Sequence, residues 1–235
     1  MTVEVLAIGA HPDDADIGVG GILCKLAKAG KRVGILDLTR GELGTRGTVE
    51  ERTKEAAEAA RILGVAERAN AGLPDGGLAN TLEQQRVVAG HIRRLRPRIL
   101  LAPLDRDRHP DHDAAHALVR DSAYFAGLAK WEADREPHRP ERIFWYRVYG
   151  DDTKVTFVMN ITDEFAQKRE AMQAFRSQFH NPDYKAPETF VSSPAFWNAI
   201  ETRAAYWGSR IGVAYGEALH SLSPVGLETL PGLEN

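Results

Sequence analysis

Two short stretches hold residue types that can do chemistry together. Ala10-His11-Pro12-Asp13-Asp14 sets an imidazole beside two carboxylates, and Arg106-Asp107-Arg108-His109-Pro110-Asp111-His112-Asp113 repeats the combination later in the chain. His11 and Asp14 are three apart, which on a first helical turn places both on one side, with Asp13 projecting next to them. Two histidines and one aspartate drawn from separate loops make an open three-ligand set that leaves a position for water, as catalytic zinc sites require. A closed structural site would take four ligands, and the single cysteine, Cys24, cannot supply a Cys-x-x-Cys pair. A lone His-Pro-Asp is ordinarily just a turn, because Pro presets φ and Asp bonds its own backbone. Two of them, each after a buried strand, point to a cation, since carboxylates so close together would otherwise repel one another. Two imidazoles and a carboxylate suit Fe2+ as well as Zn2+. His116, one turn past His112, is an alternative ligand whose simpler role is a polar position on a helix face. His91, His138, His180 and His220 are isolated in sequence and receive no role.

The elements that must position these side chains can be read from periodicity. Val3 to Gly9 is a continuous apolar run suited to a strand covered on both faces. From about Asp16 the apolar spacing turns helical, with Gly30 where a helix would stop. Val33 to Thr39 is a second strand, and Thr48 with Glu51 makes a capping box for an Ala-rich helix ending near Gly64. Asn80 with Glu83 resembles the same cap before a helix that runs to Arg96, and Arg98 to Pro103 is another buried strand. The order reads β, α, β, α, α, β. Strand-like runs at 142–149 and 154–161 and helical segments at 163–175 and 194–211 then complete the same domain. Alternation of this kind predicts an α/β fold of Rossmann-like type, a mostly parallel sheet with helices on both faces and its site at the carboxyl ends of the strands. The loops after Gly9, Thr39 and Pro103 are therefore expected to meet. One domain over residues 1–235 is expected, since no repeat or linker interrupts the pattern.

Composition narrows the partners. Lys and Arg total 30 against 33 Asp and Glu, a net charge of −3, with 43% apolar and 27% charged residues, which is ordinary for a soluble protein. That balance gives no reason to expect nucleic acid. Apolar runs such as Ile99 to Pro103 fall far short of the ~20 residues a membrane span needs. With no basic segment before the first apolar run and one cysteine, a cytoplasmic location is expected. Arg40, Arg46, Arg52, Arg106 and Arg108 fall in loops that should border the site, and guanidinium forks suit an anionic substrate, although each alone also reads as a solvated surface charge. Gly18, Gly20 and Gly21 are not a dinucleotide turn, because His11 to Asp14 occupy that position; close helix packing is their expected use.

With these motifs in hand, the chain resembles the PIG-L / LmbE-like zinc-dependent N-acetylglucosaminyl deacetylases, whose signature is His-Pro-Asp-Asp after the first strand and a later His-Pro-Asp-His. Both are present, from His11 and from His109, and the segments Thr39 to Thr48 and Ser209 to Leu219 resemble the bacillithiol-biosynthesis branch. At Asp16 the family commonly carries Glu instead. The resemblance implies zinc held by His11, Asp14 and His112, with Asp13 as general base. It implies that His109 stabilises the oxyanion or protonates the leaving amine, that Asp111 orients its ring, and that Arg52 and Arg108 contact the substrate. The implied substrate is a small anionic glucosaminide such as N-acetylglucosaminyl-malate, and a homo-oligomer is expected. Two other classes stay open at this stage: a His-Asp metal phosphohydrolase, suggested by the doublet His112-Asp113 but disfavoured by the repeated strands, and a sugar-binding module without turnover, disfavoured by the intact Asp13.

Overall fold

The computed structural model describes residues 2–131, 135–150 and 154–227. Its main sheet has five strands, β1 (Val5–Gly9), β2 (Val33–Thr39), β3 (Glu67–Leu73), β4 (Ile99–Pro103) and β5 (Arg142–Tyr146), in the order β3-β2-β1-β4-β5. Every neighbouring pair is parallel, so the connections are helices: α1 (Asp14–Lys28), α2 (Val49–Leu63), α3 (Leu82–Leu95) and α4 (Pro110–Ala126). From central β1 the chain builds outward through β2 and β3, then returns to lay β4 and β5 on the other side. The sheet therefore reverses between β1 and β4, and both chemistry-bearing motifs leave the carboxyl ends of these two strands.

Period-two alternation divides the core. Val5, Ala7, Ile35 and Leu101 face a layer made by α1, α2, α5 (Phe165–Ala174) and α6 (Pro194–Arg210), whereas Leu6, Ile8, Leu36 and Leu100 face α3 and α4. Helix α2 begins with the expected box: Glu51 N–H donates to Thr48 Oγ1 at 3.1 Å, Thr48 N–H donates to Glu51 Oε2 at 2.8 Å, and Gly64 closes the other end at φ 74°. Gly18 and Gly21 on α1 pack as closely as expected, since a Cβ at Gly18 would lie 2.1 Å from the Tyr146 ring and one at Gly21 2.7 Å from Ile161.

Three expectations need correction. Strand β3 lies where none was read: as a half-exposed edge strand of sequence Glu-Arg-Ala-Asn-Ala-Gly-Leu it lacks the apolar run that marks its neighbours. Helix α3 is capped by Thr81, whose Oγ1 accepts from Gln84 N–H at 3.3 Å, while Asn80 bonds Gln85 and Asp121 through its side chain. The run at 154–161 yields β6 (Phe157–Asn160), which pairs antiparallel with β7 (Gly216–Leu219) in a separate two-stranded sheet. No described helix is long and apolar enough to cross a membrane.

Candidate functional site

The turn after β1 is backbone under strain. Asp13 sits at φ 124° and ψ −24°, a conformation that L residues rarely adopt, and its carbonyl accepts Ile17 N–H at 2.8 Å to start α1. Arg52 reaches over from α2 to hold it. Its Nη2 donates to Pro12 C=O at 2.8 Å and lies 3.6 Å from Asp13 Oδ2, while Nη1 donates to Gly41 C=O at 3.0 Å. Gly41, at φ 66°, is required there because a Cβ would collide with that guanidinium. Arg52 was expected on the substrate; instead it is buried, with donors spent on two loop carbonyls and its charge set against Asp13.

The two motifs meet on Asp14. Asp14 Oδ2 accepts His11 N–H at 2.9 Å and lies 3.5 Å from His11 Nδ1 and 3.3 Å from His112 Nε2. Burial opposes its ionisation, but the imidazoles of His112 and His11 outweigh this and hold its carboxyl well below the usual range. Asp13 goes the other way: burial, reinforced by the repulsion of Asp14 and opposed by Arg52, pushes its carboxyl up to about 7. The far nitrogens of both histidines carry carboxylates. His11 Nε2 lies 3.1 Å from Asp75 and 3.3 Å from Asp111, and His112 Nδ1 lies 3.2 Å from Asp107. Such partners fix the tautomer and ring orientation of a metal-ligating imidazole. Asp107 is itself fixed, accepting N–H bonds from His109 at 3.2 Å and Tyr149 at 3.0 Å.

His109 caps α4. Its Nδ1 accepts Asp111 N–H at 3.2 Å, so the neutral ring carries its hydrogen on Nε2, and burial together with the neighbouring imidazoles keeps its pKa low. Asp111 was expected to orient His109 through its carboxylate. That carboxylate lies instead on His11 and on Gly76 N–H, at 2.8 Å from the latter, and only the Asp111 backbone touches His109. Ring nitrogens of His11, His109 and His112 lie within 4.8 Å of one another, as do donor atoms of His11, Asp75 and Asp111. Asp14 Oδ1 is buried without a hydrogen-bond partner. An orphaned carboxylate oxygen among converging imidazoles fits a divalent cation, with His11, Asp14 and His112 as the residues that would hold it. His116 bonds Pro103 C=O at 3.1 Å and packs on Trp145, apart from this cluster.

Arg108 stands at the mouth. It is exposed, and its guanidinium lies 4.0 Å over the Phe190 ring and 6.0 Å from that of Tyr149, which in turn stacks on His112. Arg46 is buried on the carbonyls of Ser177, Ala186 and Pro187. Asp16, also buried, takes both forks of Arg68 at 3.1 and 2.9 Å, and Arg68 bonds Asp37 as well. Sequence reasoning missed Asp75, Asp107 and Tyr149. Asp75 had a signal, because Leu73-Pro74-Asp75-Gly76 is a turn sequence at a strand end, but without β3 nothing brought it to the same edge.

With β1 and β4 delivering these groups to the switch point, the class is a Rossmann-like hydrolase fold with a metal-fitting His/Asp cluster. The model of the PIG-L family, GlcNAc-PI de-N-acetylase, matches residues 6–123, and the chain belongs to that deacetylase family. Over 97% of its length it is 30% identical to diacetylchitobiose deacetylase of Thermococcus kodakarensis, covering 86% of that protein. A conserved protein of Thermus thermophilus superposes over the whole of both chains with a TM-score of 0.89 at 41% identity. N,N'-diacetylchitobiose deacetylase of Pyrococcus horikoshii, solved with an inhibitor, matches 92% of this chain and 82% of that one, with a TM-score of 0.77 and 28% identity.

Proposed function

We propose that the chain is a zinc-dependent hydrolase that removes the N-acetyl group from a small N-acetylglucosaminyl conjugate. The observation that carries this reading is the convergence of His11 and His112 on Asp14, whose second oxygen is buried and unpartnered, beside the strained Asp13. A divalent cation held there would polarise the acyl oxygen and lower the pKa of water to about 7. Asp13 accepts the proton that water gives up as its oxygen bonds to the acyl carbon. Arg52 keeps that carboxylate in place and compensated. His109 presents Nε2–H to the acyl oxygen as negative charge develops on it, and a proton must reach the nitrogen as the C–N bond breaks to give acetate and the free amine. Asp111 and Asp75 hold the ring of His11, and Asp107 that of His112.

For the substrate we favour N-acetylglucosaminyl-malate, on the strength of Arg108, a cation stacked at the mouth where it can meet a carboxylate. Diacetylchitobiose is the second reading, favoured by the 30% identity to a deacetylase of that sugar. Amine release should be measured from both and from methyl N-acetylglucosaminide, using chelator-stripped and zinc-restored protein. Release only with the cation, fastest for the malate conjugate, is expected. Preference for diacetylchitobiose would move the substrate, and no release from any of the three with saturating zinc would overturn the reading.

A further inference from the structure

Helix α1 is broken in the middle. Val19 has φ −139° and ψ 15°, outside the helical range, in the run Gly18-Val19-Gly20-Gly21, where glycine already weakens a helix. A break leaves two raw ends: N–H groups beyond it and carbonyls before it. Both are met by one buried ion pair from distant parts of the chain, with Arg203 Nη2 on α6 adding a longer bond to the Ile17 carbonyl at 3.4 Å. The Glu217 carboxylate, on β7, accepts Gly21 N–H at 3.0 Å and Ile22 N–H at 2.7 Å. Lys168 Nζ, on α5, donates to Ile17 C=O at 2.7 Å and to Glu217 Oε1 at 2.6 Å. The anion thus sits at the start of the second half-helix and the cation at the end of the first, as the helix dipole favours. Both side chains are under 5% exposed, and neither takes part in the chemistry proposed above.

We infer that the Lys168–Glu217 pair positions the catalytic turn: by occupying the break it makes residues 14–18 a separate one-turn unit tied at its end to α5 and β7. The tie is short. Lys168 holds the carbonyl of Ile17, and the N–H of the same residue bonds Asp13 C=O, in the strained residue beside the ligand Asp14. Burial makes the pair sensitive, because removing one partner strands the other charge. This inference rests on the reading of Asp13 and Asp14 given above.

The test compares Glu217→Gln, Lys168→Met and the double variant with wild type and with Val88→Ala, a cavity variant in α3 on the opposite face that serves as the control for loss of Tm. Zinc affinity is read by chelator competition, the Co2+ form by its visible spectrum, and kcat and KM by amine release. Glu217→Gln should bind zinc at least tenfold more weakly, shift the Co2+ spectrum and lower kcat with KM within about twofold, and Val88→Ala should do none of these. The double variant should lose less than the sum of the singles. A folded Glu217→Gln with wild-type affinity, spectrum and kcat overturns the inference. If that variant does not fold, Lys168→Gln, which keeps a donor for Ile17 but drops the charge, carries the same comparison. Should wild type bind no zinc and release no amine, the functional reading fails instead. The tie is then decided by hydrogen exchange in segment 14–22, which Lys168→Gln must accelerate and Val88→Ala must not.

Discussion

The floor and the rim of the site handle charge in opposite ways. On the floor, Asp13, Asp14, Arg52, His11 and His112 are buried and set against backbone or one another, with Asp14 Oδ1 left over for a cation. At the rim, Arg108 is exposed and, among the described residues, held by stacking on aromatic rings. A buried charge is committed to the fold, since its desolvation must be offset by fixed partners. An exposed one keeps its hydrogen-bonding capacity for a ligand. On the function proposed above, the floor would set the reaction and the rim which molecule undergoes it.

That division predicts its largest effects on the floor. His112→Ala and Asp14→Ala should each lose zinc, by elemental analysis, and fall to background activity, because an open three-ligand site has no redundancy. Retention of metal by His112→Ala with its loss in His109→Ala would reassign the third ligand within the imidazole trio. Next, Asp13→Asn should keep zinc and fold but lower kcat by about 10²- to 10⁴-fold, the range of a general base. Near-normal kcat would send the proton elsewhere, and Asp16 is a poor recipient because Arg68 takes both its oxygens. Asp107→Asn should leave the ligands in place yet weaken zinc binding by about 10- to 100-fold, through loss of the carboxylate behind His112.

How much of this was legible in the sequence follows the same line. Strands β1, β2 and β4 are buried on both faces, so their apolar runs announced them, and with them the meeting of the His11 and His109 loops. Edge strand β3 is half exposed and polar, so it was invisible, and Asp75 went with it. The roles that the resemblance implied for Arg52 and Asp111 differ from the contacts these side chains make, because a shared motif says which segment a residue occupies but not which carbonyl or ring nitrogen its side chain reaches. The break in α1 showed only as clustered glycines, since Lys168 and Glu217 come from elements far along the chain.

The two arginines once paired as substrate contacts sharpen the contrast between floor and rim. Arg52→Ala removes buried donors from Pro12 and Gly41 carbonyls and the counter-charge from Asp13, which should cost roughly 3 kcal/mol of stability and depress turnover of every substrate alike. Arg108→Ala should leave Tm almost unchanged, because stacking of an exposed guanidinium contributes only ~0.5–1 kcal/mol. Its effect belongs to the ligand. A charge-assisted contact is worth roughly 1.5 to 3 kcal/mol, so kcat/KM for the malate conjugate should fall about ten- to a hundredfold while methyl N-acetylglucosaminide is barely affected. Equal losses on both substrates would put Arg108 in the chemistry. A wild type indifferent to the malate group would remove the anionic aglycone and leave the floor, and the deacetylation assigned to it, untouched.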